Sequence, residues 1–315
     1  MWDVFSKIVS KGIPTILCVV ACLVLLGAFV NYSKEKDTSK ITIQGSPEKA
    51  PFALGTALLV VSIWLYWYEH LSGSWFSRKK VIKTPTGYEV CFGDRDPPSK
   101  ILVSFGRIDD WQIPQTDGAI AFPVNEYFDR ECFGDPNTSL GAFAKKHFPG
   151  DQFSKLIDFQ QNDLTQRNLP TTLRRKEANK NAPSYGTGVS QLLDKPLNKN
   201  FRIVLVSSST KREKVGIRCE VPFIFRAIDS IHHTMVDFQI DTLILPLLGP
   251  GKGGLRPEVS LFSMILGFSE IMRGSSGHHL KSIEIIVFQS NSSAKPEISK
   301  QRVRRILGTA SAMFG

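Results

Sequence analysis

The sequence has few cysteines and no standard cofactor or nucleic-acid motif. It contains five cysteines in 315 residues, and two of them, Cys18 and Cys22, lie within an apolar segment. The other three have no framework spacing, which argues against a disulfide scaffold and favours a reducing compartment. Zinc-ligand spacing, a recognition-helix signature and interleaved aromatic and basic residues are also lacking, so we expect neither a metal site nor a nucleic-acid partner.

Charge is absent from two early segments. Residues 13–30 and 51–68 contain no charged side chain, and as helices each would extend roughly 27 Å, close to the thickness of a bilayer core. The second ends in Trp64, Tyr66, Trp67 and Tyr68, which favour the headgroup level. Residues 1–76 are therefore predicted to be a membrane anchor with two transmembrane helices.

Two alternatives for these segments stay open. Lys7 and Lys11 precede the first segment as they would in a signal peptide, although no clear cleavage site follows. A buried hairpin of a soluble protein is the other. The bias of Lys and Arg toward the side of the termini predicts a multi-pass protein of the cell inner membrane, with its C-terminal domain in the cytoplasm.

Residues 77–315 have the pattern of an α/β domain. Short apolar runs predict buried strands in a sheet that is covered on both faces, at 101–105, 118–122, 201–206, 242–247 and 282–288. Helical patterns lie between them, at 139–147, 221–237, 258–273 and 296–313. This alternation predicts a three-layer sandwich, and residues 160–200, which are polar and lack a period, are predicted to form a long surface excursion.

The most specific motif is an apolar strand that runs into a glycine-rich turn and then into a helix. The turn contains four glycines within six residues, in the segment Leu248, Gly249, Pro250, Gly251, Lys252, Gly253 and Gly254. Glycines let backbone N–H groups approach a ligand closely, and a helix N-terminus favours negative charge. The spacing differs from the phosphate loop of NTPases, so we predict a diphosphate cradle of another kind.

Basic residues exceed acidic ones, 39 to 29, for a net charge of +10. Clusters of Lys and Arg occur at residues 174–176, 211–214 and 302–305. Such a surface suits anionic lipid headgroups or a phosphate-bearing ligand. An adaptor that works through its basic surface on lipid is therefore one alternative function.

Several segments, in order, resemble a macro domain over roughly residues 101–315. Residues 117–128 resemble its first buried strand, which ends at Asn125, and residues 136–143 resemble its first phosphate loop and the helix after it. Residues 184–188, the glycine turn and the last strand, ending at Phe288, follow in the same order. The resemblance implies an α/β/α module with a mixed sheet that binds ADP-ribose or a related nucleotide.

By position, the resemblance also implies a ligand-binding set. Asn125 would face the distal ribose and Phe288 would stack near the adenine, although core packing explains Phe288 equally well. Where many members have an Asp that accepts from the adenine amino group, this sequence has Arg107, so adenine recognition differs or Asp109 serves. The diphosphate would be wrapped by the glycine turn and by Asn137, Thr138, Ser139, Leu140 and Gly141.

Hydrolytic members use a glycine triplet in the first loop, and this sequence has residues 137–140 there instead. We therefore predict no catalytic residue, and a membrane-anchored ADP-ribosyl hydrolase is the alternative function. The paired histidines at 232–233 and 278–279 are predicted to be surface residues, and Cys132 is a weak candidate nucleophile because its basic neighbours are few.

Two spans followed by a macro-like domain resemble the transmembrane effector family of the type II Thoeris antiphage defence system. In that family a TIR-domain partner makes an ADP-ribose-derived signal nucleotide and the macro domain binds it. The resemblance implies a homo-oligomer on activation that disrupts the lipid bilayer in abortive infection. The ligand would be ADP-ribose-like, such as an amino-acid or imidazole conjugate, and no cofactor is expected.

Overall fold

The structure of the protein is a computed structural model that describes residues 81–92, 98–112, 117–177, 180–212, 216–274, 280–291 and 296–314. These residues belong to one compact unit, Lys79–Gly315. The two predicted transmembrane segments, residues 13–30 and 51–68, lie outside the described residues. Within the described part of the chain, no helix has the length and apolar character needed to cross a bilayer.

Strands and helices alternate along this unit. The strands are β1 (Ile82–Lys83), β2 (Gly87–Phe92), β3 (Ser99–Gly106), β4 (Gly118–Asn125), β5 (Thr172–Glu177), β6 (Lys180–Ser184), β7 (Ser190–Asp194), β8 (Arg202–Arg212), β9 (Gly216–Arg218), β10 (Thr242–Pro246) and β11 (Ser282–Phe288). The helices are α1 (Glu131–Gly134), α2 (Ser139–His147), α3 (Asp151–Gln166), α4 (Val221–Asp237), α5 (Pro257–Arg273) and α6 (Lys300–Phe314). All five predicted strands are confirmed.

The main sheet has nine strands in the order β1-β2-β3-β11-β10-β4-β8-β7, and β9 pairs with β8. Five neighbouring strands, β3, β11, β10, β4 and β8, are parallel. Strands β2 and β7 pair antiparallel at the two sides of this parallel block. The predicted mixed sheet is confirmed, and its five parallel strands present their carboxyl ends at one edge.

Helices cover both faces of the sheet, as expected for a three-layer sandwich. Strand β11 shows why, because Ile283, Ile285 and Val287 belong to the hydrophobic core shared with α4, α5 and α6, whereas Ile286 belongs to the opposite core. That opposite core contains apolar residues of α1, α2 and α3. Continuous runs of apolar residues in these strands therefore reflect burial on both faces.

Helix boundaries follow local signals. Helices α2 and α4 have the predicted bounds, and Pro257 opens α5 at the position where its missing N–H costs nothing. Helix α6 starts at Lys300, four residues later than predicted. Ser299 precedes it, and the Ser299 hydroxyl accepts from the Arg302 N–H at 3.4 Å, so the serine rather than Pro296 starts the helix.

The prediction of a surface excursion over residues 160–200 is wrong in part. Helix α3 continues to Gln166, β5 and β6 form a separate two-stranded sheet, and β7 joins the main sheet. Leu156, Ile157 and Leu164 form a buried stripe at helical spacing on α3. The spacing of these apolar residues can be seen in the sequence, but the many polar residues around them made the segment resemble a loop.

Candidate functional site

The candidate ligand residues lie at the carboxyl edge of the parallel strands. Gly106 ends β3, Phe288 ends β11, Pro246 ends β10 and Asn125 ends β4, and these four strands are adjacent in the sheet. Neighbouring strands are about 4.8 Å apart, so the four ends span roughly 14 Å. The sequence thus places its candidate residues on one edge, along a line long enough for a ligand with two distinct ends.

The chain leaves this edge in opposite directions at β4 and β10. After β4 it enters α1 and α2, whose Leu140 and Phe143 pack in the core on one face. After β10 it enters α5, whose Leu261 and Met264 pack in the core on the other face. Open α/β sheets bind ligands in the crevice that such a divergence creates. We refer to the space between these two connections as the switch crevice.

The glycine turn, residues 249–254, forms one wall of the switch crevice. Gly249 has a φ of 92°, and a Cβ there would lie 2.5 Å from the Cys219 Sγ, so only glycine fits. The Cys219 N–H donates to the Gly253 carbonyl at 2.9 Å, and the Ser260 hydroxyl donates to the Leu248 carbonyl at 2.7 Å. Residues before α4 and within α5 therefore fix the turn.

The start of α2 forms the facing wall. The Thr138 hydroxyl accepts from the Gly141 N–H at 3.0 Å and donates to the Asp135 carbonyl at 2.8 Å. A Cβ on Gly141 would lie 2.0 Å from that carbonyl oxygen, so the tight turn before α2 requires glycine. Asn137 is exposed and Ser139 is half-buried.

An ion pair joins the two walls. The Lys252 Nζ contacts the Asp135 carboxylate, and this hydrogen bond lowers the pKa of Asp135. Lys252 is otherwise exposed, with 58% of its side chain accessible. The Lys252–Asp135 pair therefore connects the glycine turn to the residues that precede α2.

Two predicted ligand residues contribute packing instead. Leu248 and Leu140 are 0% and 1% exposed, so their side chains belong to the two cores. The Leu248 amide and carbonyl are also engaged, by the Met264 sulfur and by Ser260. These two side chains pack in the cores on opposite faces of the sheet, and binding of a diphosphate by the backbone of their segments stays a prediction.

Asn125 is in the predicted position but is occupied within the protein. It is 4% exposed, its Oδ1 accepts from the Tyr127 N–H at 2.9 Å, and its Nδ2 lies 3.4 Å from the Asp129 carboxylate. A contact between Asn125 and a ribose would require Nδ2 to leave Asp129. In this structure Asn125 shapes the turn after β4.

Phe288 lies toward the other end of the edge, on the strand next to β3. It is 53% exposed, which excludes the alternative that it is a core residue. Close by, Arg107 donates to both oxygens of Asp109, at 2.8 and 3.2 Å, and Asp109 is 8% exposed. Because Arg107 already donates to both oxygens of Asp109, the Asp109 carboxylate could accept a hydrogen bond from a base only after its ion pair with Arg107 breaks.

Sequence reasoning missed Asp135, Cys219 and Ser260, which fix the walls. Asp135 precedes an N-cap threonine, a pattern that could have indicated a turn. Cys219 and Ser260 act through tertiary contacts with the glycine turn, and no local pattern shows such contacts.

The remaining candidate chemistry is weak. Burial, followed by the charge of Asp129, raises the pKa of the Cys132 thiol to about 12, so Cys132 is not an activated nucleophile. His232 is 6% exposed, so its predicted surface location is wrong, whereas His233 is exposed. His278 and His279 lie outside the described residues. Among the described residues, no group of His, Cys, Asp or Glu has a metal-binding arrangement.

The chain matches no protein-family model and no curated protein. Its fold is similar to that of solved macrodomains. The Oceanobacillus iheyensis macrodomain with ADP aligns with a TM-score of 0.45 at 8% identity, over 70% of this chain and 94% of that chain. The Trypanosoma brucei macrodomain in complex with ADP-ribose gives 0.44 and 13%, over 66% and 69%. The macrodomain of Thermus aquaticus DarG gives 0.36 and 14%, over 60% and 99%. Scores and identities this low transfer no residue role to this chain.

Proposed function

We propose that this protein binds an ADP-ribose-like nucleotide in the switch crevice. The observation that carries the proposal is that the glycine turn and the start of α2 follow two adjacent parallel strands. The chain leaves these two strands toward opposite faces of the sheet. Glycine backbone and a helix N-terminus suit a diphosphate. Phe288, exposed two strands away from β4, is available to stack on a base, and Asn125 marks the far end.

We further propose that the protein is a sensor rather than a hydrolase. Asn125, the residue that would orient a scissile ribose, is buried and hydrogen-bonded within the protein. Thr138 is committed to the cap of α2, so it is not a free catalytic group. A protein that binds its ligand without converting it is suited to sensing a signal molecule and not to hydrolysing a substrate.

The two predicted spans give the sensor its output. In the proposed role the protein is an inner-membrane effector of a type II Thoeris system, and its ligand is a signal nucleotide made by a TIR-domain partner. Two helices are too few to enclose a pore, so membrane disruption requires self-association. To move a population from 1:99 to 99:1, the ligand must prefer the assembled state by roughly 5.5 kcal/mol.

The test uses the full-length chain in a mild detergent. We expect ADP-ribose to bind in titration calorimetry, to remain intact by chromatography after hours of incubation, and to raise the measured mass of the protein. Release of ADP-ribose from a modified protein would favour the hydrolase. A ligand-bound protein that stays monomeric would contradict the effector mechanism, and no binding at all would contradict the site.

A further inference from the structure

The β5–β6 hairpin, residues 172–184, lies against the residues that follow β4. We call it the basic hairpin because Arg174 and Lys176 extend from its first strand. The Arg174 Nη1 lies 3.2 Å from the Glu126 carboxylate, and the Lys176 Nζ lies 2.8 Å from the Asp129 carboxylate. Two ion pairs thus attach the hairpin to the β4 end of the edge.

Further contacts reinforce this attachment. The Ser184 hydroxyl donates to the same Glu126 carboxylate at 2.9 Å, and the Tyr185 N–H donates to the Glu126 carbonyl at 2.9 Å. The Lys176 Nζ lies over the Tyr127 ring, 5.7 Å from its centroid. Both strands of the hairpin therefore contribute to the contact.

The residues beneath the hairpin are deeply buried. Asn125, Glu126, Tyr127 and Phe128 are 4%, 2%, 6% and 0% exposed. A buried carboxylate such as Glu126 requires its partners, because leaving it unpaired is strongly unfavourable. Opening the hairpin would therefore cost more than moving a surface loop.

The location of the hairpin matters for the ligand. With a base on Phe288 and a diphosphate in the switch crevice, the remaining sugar of an ADP-ribose points to the β4 end, where the hairpin lies. In ADP-ribose attached to a protein, the C1″ of that sugar continues into the protein chain. In the free nucleotide the molecule ends there.

We infer that the basic hairpin closes the β4 end of the site, so that it accepts a free nucleotide with a compact terminal group and excludes ADP-ribose attached to a polypeptide. This inference rests on the proposed nucleotide site and specifies its ligand class. Because ADP-ribose attached to a polypeptide would be excluded, ADP-ribosylated proteins would not activate the sensor.

The experiment compares two probes on the full-length chain in detergent, ADP-ribose and a peptide that carries one ADP-ribose on a serine side chain. To admit the peptide, an ion pair of the hairpin must break, so the peptide should bind about 30-fold more weakly than ADP-ribose. In the double variant R174A/K176A, which removes both ion pairs, the ratio of the two affinities should fall toward unity.

A matched control is Leu173→Ala. Leu173 is in the same hairpin and is 77% exposed, so its replacement should leave the ratio unchanged. If the double variant fails to fold in a thermal-unfolding assay, the wild-type ratio decides alone. Equal binding of both probes by the wild type would overturn the inference and leave the nucleotide site intact, whereas binding of neither would overturn both.

Discussion

Within the proposed nucleotide site, Phe288 and Asp109 differ in what their side chains can offer to a base. Phe288 offers an exposed ring at the end of a strand, whereas the Asp109 carboxylate is occupied by Arg107. Stacking, rather than a carboxylate reading an amino group, is therefore the stronger contribution that this end of the edge can make.

The first prediction concerns this ring. Phe288→Ala should weaken ADP-ribose binding by roughly 5- to 150-fold, because stacking of a base on an aromatic ring is worth about 1–3 kcal/mol. Titration calorimetry measures the loss. Met313→Ala, which removes another exposed apolar side chain on α6, is the control, and equal effects of the two variants would contradict a role for Phe288.

A second prediction concerns the glycine turn. Gly249→Ala places a methyl group against Cys219, whereas at Gly251, with a similar φ of 70°, no described atom lies within 4 Å of an added Cβ. Both variants strain the backbone, but only the first is overpacked. Denaturant unfolding should show Gly249→Ala to be less stable than Gly251→Ala by about 2 kcal/mol. Equal stabilities would show that Cys219 gives way.

At this scale the sequence identified the glycine turn and Phe288, because glycine clusters and strand ends are local signals. It assigned Leu140 and Leu248 to the ligand, although both point into cores, because adjacency in the chain does not reveal side-chain direction. The bidentate Arg107–Asp109 pair was equally hidden, since the sequence showed only that Arg107 stands where an acidic residue is expected and that Asp109 is the nearest carboxylate.

At the scale of elements, the two walls of the switch crevice meet through Lys252 and Asp135. Asp135→Asn removes a negative charge from the mouth while keeping an oxygen that can accept from the Asn137 N–H, a contact now 2.9 Å long. We expect ADP-ribose to bind about threefold more tightly, and Lys252→Gln to weaken it by a similar factor.

Titrations at low and high salt check this prediction, because interactions of exposed charges are screened by salt. Asp241→Asn is the matched control, since Asp241 pairs with Lys281 just before β10 and β11 begin, at the amino edge of the sheet. A gain in affinity with Asp241→Asn would indicate a general effect of net charge instead.

The basic hairpin should detach in acid. Burial acts to raise the pKa of Asp129, but the hydrogen bond and charge of Lys176 outweigh it, so the pKa is lowered. A carboxyl with a lowered pKa stabilises the folded form above its ordinary pKa of about 3.9, and this contribution is lost as the pH falls through the lowered value.

The protection of amides in residues 172–177 and 180–184 against hydrogen exchange, taken relative to the intrinsic exchange rate at the same pH, should therefore fall below about pH 4. Lys176→Met removes the cause of the shift, so its hairpin should exchange faster already at neutral pH and respond less to acid. An identical acid response in the wild type and this variant would assign the effect to other carboxylates.

Elements with continuous apolar runs were predictable and those with mixed composition were not. Five strands could be recognised by continuous apolar runs, because both of their faces are buried: β3, β4, β8, β10 and β11. Strand β2 has only Val90 and Phe92 in the core, and Leu173 of the hairpin is exposed. The residues of the proposed site that follow β3, β4, β10 and β11 could be predicted from the sequence, because these strands could be predicted.

At the scale of the whole molecule, the prediction is membrane retention. If residues 13–30 and 51–68 span the bilayer, the full-length protein should stay with membranes through alkaline carbonate extraction, because burial of an apolar helix does not depend on charge. A chain that starts at residue 77 should instead be released. Release of the full-length protein into the supernatant would favour the basic-surface adaptor, whose binding to the membrane weakens as the salt concentration rises.

The position of β11 has a consequence for synthesis of the protein. This strand is later in the chain than its two neighbours, β3 and β10, yet it lies between them. While the ribosome has yet to deliver residues 282–288, the two halves of the sheet cannot join, and contacts of such long sequence separation form slowly. A nascent chain thus lacks Phe288 at the edge of the sheet, so the proposed nucleotide site is incomplete until β11 has been synthesised.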